Sequence, residues 1–199
     1  MTSRESRMRR YAALERRMWQ ALIRWVTRRG PRDGFGYAGP VRPLLWAFVI
    51  VSAVETVAVH LILPWLAVRV VVDVLSVYGL LWMLGIVASY RVYPHRLTDD
   101  GIRIRHSLFA DLTVPRAAIA EVRARRRLLA GSEMLQVEEH AAGRALSIPV
   151  SGQTNVEVVL REPTTVDDSS GPVTEVRCYA DDPEGFLAAA QDQRRQAQQ

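Results

Sequence analysis

Residues 44–63 read LLWAFVIVSAVETVAVHLIL, and residues 66–89 read LAVRVVVDVLSVYGLLWMLGIVAS. The first run carries one carboxylate, Glu55; the second carries one cation, Arg69, and one carboxylate, Asp73. At a helical rise of about 1.5 Å per residue they reach roughly 30 and 36 Å, enough to cross a hydrocarbon core, the second with some tilt. Only Pro64 and Trp65 separate them, so the expectation is a tight helical hairpin over residues 43–90. The first run starts past residue 40 behind an Arg-rich segment and lacks a small-residue cleavage pattern. It therefore reads as a membrane span and not as a signal peptide.

The chain has 199 residues, which leaves room for one modest domain beside the hairpin. All 26 basic residues are Arg, which reads as a compositional bias of the source genome. Residues 1–42 hold eleven Arg against Glu5, Glu15 and Asp33, a net charge of +8, whereas residues 91–199 hold fourteen Arg against sixteen acids. The excess charge belongs to the N-terminal arm, and the high pI does not mark the whole chain as a nucleic-acid binder. Positive charge beside the first span, with Arg91 and Arg96 just past the second, predicts both termini on the cytoplasmic side of the inner membrane. Cys178 is the only cysteine, which excludes an internal disulfide and suits a reducing compartment.

In the arm, Met8, Tyr11, Leu14, Met18, Trp19, Leu22, Trp25 and Val26 fall on one helical face. Arg9, Arg10, Arg16, Arg17, Arg24 and Arg28 fall on the other. Such a helix is expected to lie in the headgroup layer with its arginines on anionic lipid; the alternatives are packing on the soluble domain or on a second copy, or disorder. Residues 31–43, rich in Gly and Pro, read as a flexible link that completes the 1–42 segment.

Inside the hairpin, Glu55 and Asp73 each lie nine residues from Pro64, and His60 and Arg69 lie four and five from it. An antiparallel pair of helices puts each couple at a common depth, predicting an intramembrane polar network of Glu55, His60, Arg69 and Asp73. An ionised side chain at mid-bilayer costs about 2.5–3.5 kcal/mol on insertion scales, so these groups are expected to pair. The bland role is a clip between helices or protomers. The sharper roles are a proton or ion relay, or a small metal site at Glu55, His60 and Asp73, for which no defined ligand spacing is present.

From His95 the pattern changes to period two. Arg96–Thr98 and Gly101–Ser107 flank Asp99-Asp100-Gly101, a hairpin turn signal. Alternating runs follow at 112–115, 119–125, 134–140, 145–150, 156–161 and 173–179. Asp182-Pro183-Glu184 then supplies an N-cap, a Pro at the first helical position and an acid in the first turn. Phe186, Leu187 and Ala190 form the stripe of a short closing helix before a Gln/Arg-rich tail, 191–199, read as frayed. The expectation for residues 91–190 is a small, partly open β-barrel plugged at one end by that helix.

Tyr93-Pro-His-Arg-Leu-Thr-Asp-Asp-Gly-Ile-Arg-Ile-Arg, Leu112-Thr-Val-Pro-Arg-Ala-Ala-Ile-Ala-Glu-Val and Val176-Arg-Cys-Tyr-Ala-Asp-Asp-Pro-Glu-Gly-Phe resemble bacterial pleckstrin-homology-like (PH-like) membrane proteins. In that family two transmembrane helices precede the module. The resemblance covers residues 44–190 and departs at Arg116, where an aromatic residue commonly follows the proline, and in the long basic arm. It implies a PH-like barrel with a capping helix and this membrane topology, and it supplies no catalytic residues.

Arg123, Arg125, Arg126 and Arg127 cluster at the end of a strand and read as a contact for anionic headgroups or an acidic partner, or as a solvated hairpin flank. They lack the interleaved aromatics of a single-stranded nucleic-acid groove. His106 reads as a half-buried structural imidazole and His140 as an exposed turn residue. Nucleophile triads, phosphate loops, paired Cys and metal-ligand spacings are absent from the sequence, so no catalytic residue, metal or cofactor is expected. The expected function is a non-enzymatic, membrane-anchored module that binds protein partners or lipid headgroups. The rival is a small oligomeric ion- or proton-handling subunit using Glu55 and Asp73.

Overall fold

The computed structural model describes residues 3–29, 33–131, 133–141, 143–167 and 170–196, without the side chains of residues 3–7, 10, 194 and 196. The chain forms two compact units, one of residues 1–30 and 41–92 and the other of residues 31–40 and 93–199.

Among the described residues the first unit contains three helices: α1 (Ser3–Val26), α2 (Arg42–Ile62) and α3 (Leu66–Val92). Helices α2 and α3 are long and apolar enough to span a membrane and form the expected hairpin, broken at Leu63-Pro64-Trp65. Pro64 can neither donate to the ladder nor admit a helical residue before it, so α2 stops with Leu63 in an extended conformation (φ −76°, ψ 113°).

Part of the apolar face of helix α1 packs on α3. Met18, Ala21 and Leu22 are buried, and Gly85, Ala88, Ser89 and Val92 of α3 are buried as well. Gly85 provides the notch: a Cβ there would sit 2.3 Å from the Met18 sulfur. Tyr78 Oη donates to Glu15 Oε1 at 2.8 Å, and Trp19 lies 6.5 Å from the Tyr78 ring. The apolar stripe of this helix is therefore used in part on protein, while Met8 and Tyr11, farther out, remain exposed.

Among the described residues the second unit has eight strands: β1 (Arg96–Thr98), β2 (Gly101–His106), β3 (Ala110–Pro115), β4 (Ile119–Leu128), β5 (Gln136–His140), β6 (Gly143–Ile148), β7 (Gln153–Thr165) and β8 (Pro172–Cys178). Helix α4 (Pro183–Gln196) follows. The strands form two open sheets, β1-β2-β3 and β4-β7-β8-β6-β5, and not a closed barrel. After β3, Pro115 and a 3-10 turn at Arg116–Ala118 carry the chain into the second sheet. Edge strands β1 and β4 both meet α4 instead of hydrogen-bonding to each other. Arg116 donates to the Gln193 carbonyl and Gln193 to the Thr98 carbonyl, tying the helix across that gap.

Strand alternation sets the core. Ile102, Ile104, Leu112 and Val114 of the first sheet face Val122, Leu146, Val156, Val158, Val176 and Cys178 of the second. Phe186 and Ala190 of α4 complete the core. Asp182 caps α4 by accepting from the Gly185 amide at 2.9 Å, as its sequence position predicts. The helix continues to Gln196, through most of the segment expected to fray; residues 197–199 lie outside the described residues.

The stretch read as a flexible link is part of this module. Phe35 and His95 exchange both backbone hydrogen bonds, at 2.9 and 3.0 Å, and Phe35 packs edge-on against Phe186 with ring centroids 5.0 Å apart. Tyr37 is fully buried, stacks on His95 at 4.5 Å and accepts the Ser107 amide at 2.6 Å through its hydroxyl oxygen. Asp181 donates its amide to Gly36 O and accepts from the Gly39 amide, both at 2.8 Å. The hairpin is thus an insertion into the module, and both its ends leave from one place.

Candidate functional site

The outward face of the five-stranded sheet carries a groove of about 810 Å³, lined by Arg123, Arg125 and Arg127 of β4, Glu175 and Arg177 of β8, and Glu138, Glu139, His140 and Ala141 of the β5 end. Register builds it. Arg123 lies opposite Glu157, Glu157 opposite Arg177, and Arg177 opposite Ser147, so one cross-strand row points away from the core.

Two members of that row are nearly inaccessible to water: the Glu157 and Arg177 side chains are 3% and 4% exposed. Arg177 contacts Glu138 at 2.8 Å and Glu157 at 3.6 Å, and it also donates to Glu175. Arg127 reaches Glu157 at 2.6 Å. A buried charge is tolerable only with well-placed opposite charges, and here two arginines and three glutamates supply them.

Burial pushes Glu157 upward, but hydrogen bonds with Glu175 and Arg127 outweigh it and hold this carboxyl below the usual range. Burial and the Glu157 carboxylate raise Glu175. The two neighbouring carboxyls are thus pushed in opposite directions, Glu157 down and Glu175 up.

Of the predicted basic cluster, Arg123 pairs with Glu121 at 2.5 Å, Arg127 with Glu157, and Arg126 donates to Gln153 Oε1 at 2.9 Å. Arg125 is exposed and has no ion pair or hydrogen bond among the described residues. His140 lines the groove with its Nε2 buried and unpartnered among the described residues, which differs from the exposed turn residue expected. His106 is buried, and its pKa is lowered by that burial.

His95 holds the module's second polar centre. Its Nε2 lies 2.8 Å from Tyr179 O and so carries the proton, while Nδ1 accepts the Arg105 amide at 3.0 Å. Complete burial lowers its pKa from 6.5 to about 4. Both nitrogens are engaged in the neutral ring, so the arrangement is structural.

In the hairpin, His60 Nδ1 and Asp73 Oδ2 are 2.7 Å apart. Glu55 and Arg69 make no ion pair among the described residues, so the predicted four-residue network reduces to one pair. Side chains lean toward the N-terminus of their own helix. In an antiparallel hairpin His60 therefore leans away from the bend and Asp73 toward it. They converge, while Glu55, level with Asp73, leans the other way. Among the described residues no three His, Cys, Asp or Glu side chains gather as metal ligands, Glu55, His60 and Asp73 included.

Arg9 and Arg16 of α1 are exposed, Arg17 is exposed and makes at least one contact, and the Arg10 side chain lies outside the described residues. Arg177, Glu157, Glu138 and Glu175 escaped the sequence reading. Their signal was a charged residue at the out-facing position of otherwise apolar strands, as in Val156-Glu157-Val158 and Val176-Arg177-Cys178. No protein-family model, curated protein or solved structure matches the chain.

Proposed function

We propose that this chain is a non-enzymatic, membrane-anchored module of PH-like character that uses the outward groove to bind an acidic segment of a protein partner or an anionic lipid headgroup at the cytoplasmic face. The observation that carries this reading is Arg125. Three of the four arginines lining the groove pair directly with acids, whereas Arg125 lines this cavity of about 810 Å³ with no ion pair among the described residues and acts on Glu157 only at longer range. A guanidinium without a direct partner beside an ion ladder is a ready anchor for carboxylate or phosphate. Positive charge in residues 1–42 supports the cytoplasmic placement, and the Phe35–His95 clamp supports one membrane side for both ends of the hairpin.

The test is capture from detergent-solubilised membranes by the full chain and by Arg125→Glu, read beside binding to nanodiscs with and without phosphatidylglycerol. Charge reversal should abolish either protein capture or the preference for anionic lipid. If it changes neither, the groove is not the binding site.

A second reading, an oligomeric subunit that handles ions or protons, rests on the His60–Asp73 contact of 2.7 Å. Glu55 stands apart from that pair, which leaves the relay without its second carboxylate. Proton flux into liposomes that is lost in Asp73→Asn would favour this reading over the module.

A further inference from the structure

Among the described residues, the large apolar side chains left exposed on the module are Phe109 (47%), Leu128 (77%) and Val137 (39%). Single exposed apolar residues are ordinary, so what matters is where these stand. Phe109 lies in the β2–β3 turn, which is held by the Ser107 amide on the buried Tyr37 hydroxyl and by the Phe109 amide on His106 O at 3.1 Å. Leu128 is the last residue of β4, opposite Gln153. Two residues along β7, Asn155 clamps both the carbonyl and the amide of Ala180, at 2.7 and 2.8 Å. The next residue, Asp181, holds Gly36 and Gly39. Both tips are therefore tied through short hydrogen-bonded paths to residues 36–39.

That segment is where the chain leaves the module. Helix α2 begins at Arg42, three residues after Gly39, a reach of roughly 10 Å at full extension. A bilayer spanned by α2 and α3 is thus always within range of this end, at the high effective concentration that a short tether gives. Arg126 precedes Leu128 by two residues, is exposed, and has no acid within salt-bridge distance among the described residues. Two apolar tips beside an uncompensated guanidinium match the boundary of an anionic membrane, where apolar groups sink and basic groups meet phosphate.

We propose that Phe109 and Leu128 form a second bilayer contact, a pair of apolar tips that enter the headgroup layer of the membrane beside the hairpin, with Arg126 on anionic lipid. This contact is separate from the groove and does not rest on it. It makes the bilayer a fixed partner of the module and leaves the groove free for another ligand.

The full chain, reconstituted in nanodiscs of phosphatidylcholine alone or with phosphatidylglycerol, carries an environment-sensitive dye at Phe109→Cys, Leu128→Cys or Asp192→Cys. Asp192, on α4 and outside the groove, has a side chain 70% exposed and serves as the solvent reference. Cys178 is buried with its thiol pushed up to about 12, so the dye goes to the new cysteine. Dyes at 109 and 128 should shift to the blue and be quenched by lipid spin-labelled just below the headgroup, more strongly in the anionic discs, while the dye at 192 stays in water. Arg126→Glu should remove the anionic enhancement. The proposal is overturned if the dyes at 109 and 128 behave like the one at 192, or if they shift to the blue without quenching by spin-labelled lipid, which would indicate a protein contact.

Discussion

Helices α2 and α3 leave most of their apolar side chains uncovered and bring two polar groups together, His60 and Asp73. The sheet module does the reverse: its apolar residues are enclosed, and a ladder of five charged side chains holds its outward face. One polypeptide thus carries two opposite distributions of apolar surface. An exposed apolar residue in the hairpin carries no special meaning, whereas Phe109 and Leu128 on the module do. Conversely, an ion pair is ordinary on the module and informative in the hairpin. Within the module the Phe35–Tyr37–His95 clamp ties its two chain segments together, and the sharpest tests lie there and along the ladder.

The largest effect is expected from Tyr37→Ala. It removes a fully buried aromatic ring that stacks on His95, and should lower stability by about 3–5 kcal/mol in denaturant melts of the full chain. Were the melt unchanged, the link would be ornamental and the module continuous. Arg177→Ala should come close behind, at about 3 kcal/mol, because it leaves Arg127 alone to hold the buried Glu157 carboxylate and takes the cation from Glu138 and Glu175. Glu138→Ala, at the partly exposed end of the ladder, should cost less, and equal costs would contradict the ladder's graded burial.

Acid should act through His95. Its pKa is depressed from 6.5 in the unfolded chain to about 4 in the fold, so its contribution is complete above pH 6.5 and is lost as pH falls toward 4. The loss amounts to about 3 kcal/mol. A melting temperature recorded over that interval checks it, with His95→Gln expected to flatten the slope. Glu157, also held below its usual range, adds its loss at still lower pH. Gly85→Val should come next, at about 1–3 kcal/mol, since the added side chain meets the Met18 sulfur. Faster proteolysis at the α1 arginines would report the undocking. Arg125→Ala should change stability by less than about 0.5 kcal/mol while weakening capture of the groove's ligand.

Much of the architecture could be read before any coordinates. The hairpin helices begin and end within three residues of the apolar runs, because an apolar residue count is itself a length. The eight strands follow period two, and Asp182-Pro183 marks the start of α4. Closure into a barrel could not be read, because alternation says which way a side chain points and not which strand lies beside it. The same gap hid the ladder: Glu157 and Arg177 are outward in sequence, but their adjacency is a matter of register across β7 and β8. Residues 33–40 misled for another reason. Glycine and proline serve a loose link and a docked one equally, and Gly39 is needed where a Cβ would lie 2.6 Å from Asp181 Oδ1. The partner of the arm could not be read, because a lipid surface and a neighbouring helix ask for the same amphipathic stripe.

The split of the module around the hairpin sets an order on biosynthesis. Phe35 and Tyr37 leave the ribosome before the sheets they complete exist, and Val173, Val176 and Phe186 come more than a hundred residues later. Until then the early segment must wait while a hairpin long and apolar enough to span a membrane is made, so the final docking step is long-range and slow. A soluble fragment cut at residue 91 would lack the aromatic cover over His95. Joining residues 33–40 to 93–196 through a short Gly-Ser bridge would restore that cover in water, without the membrane.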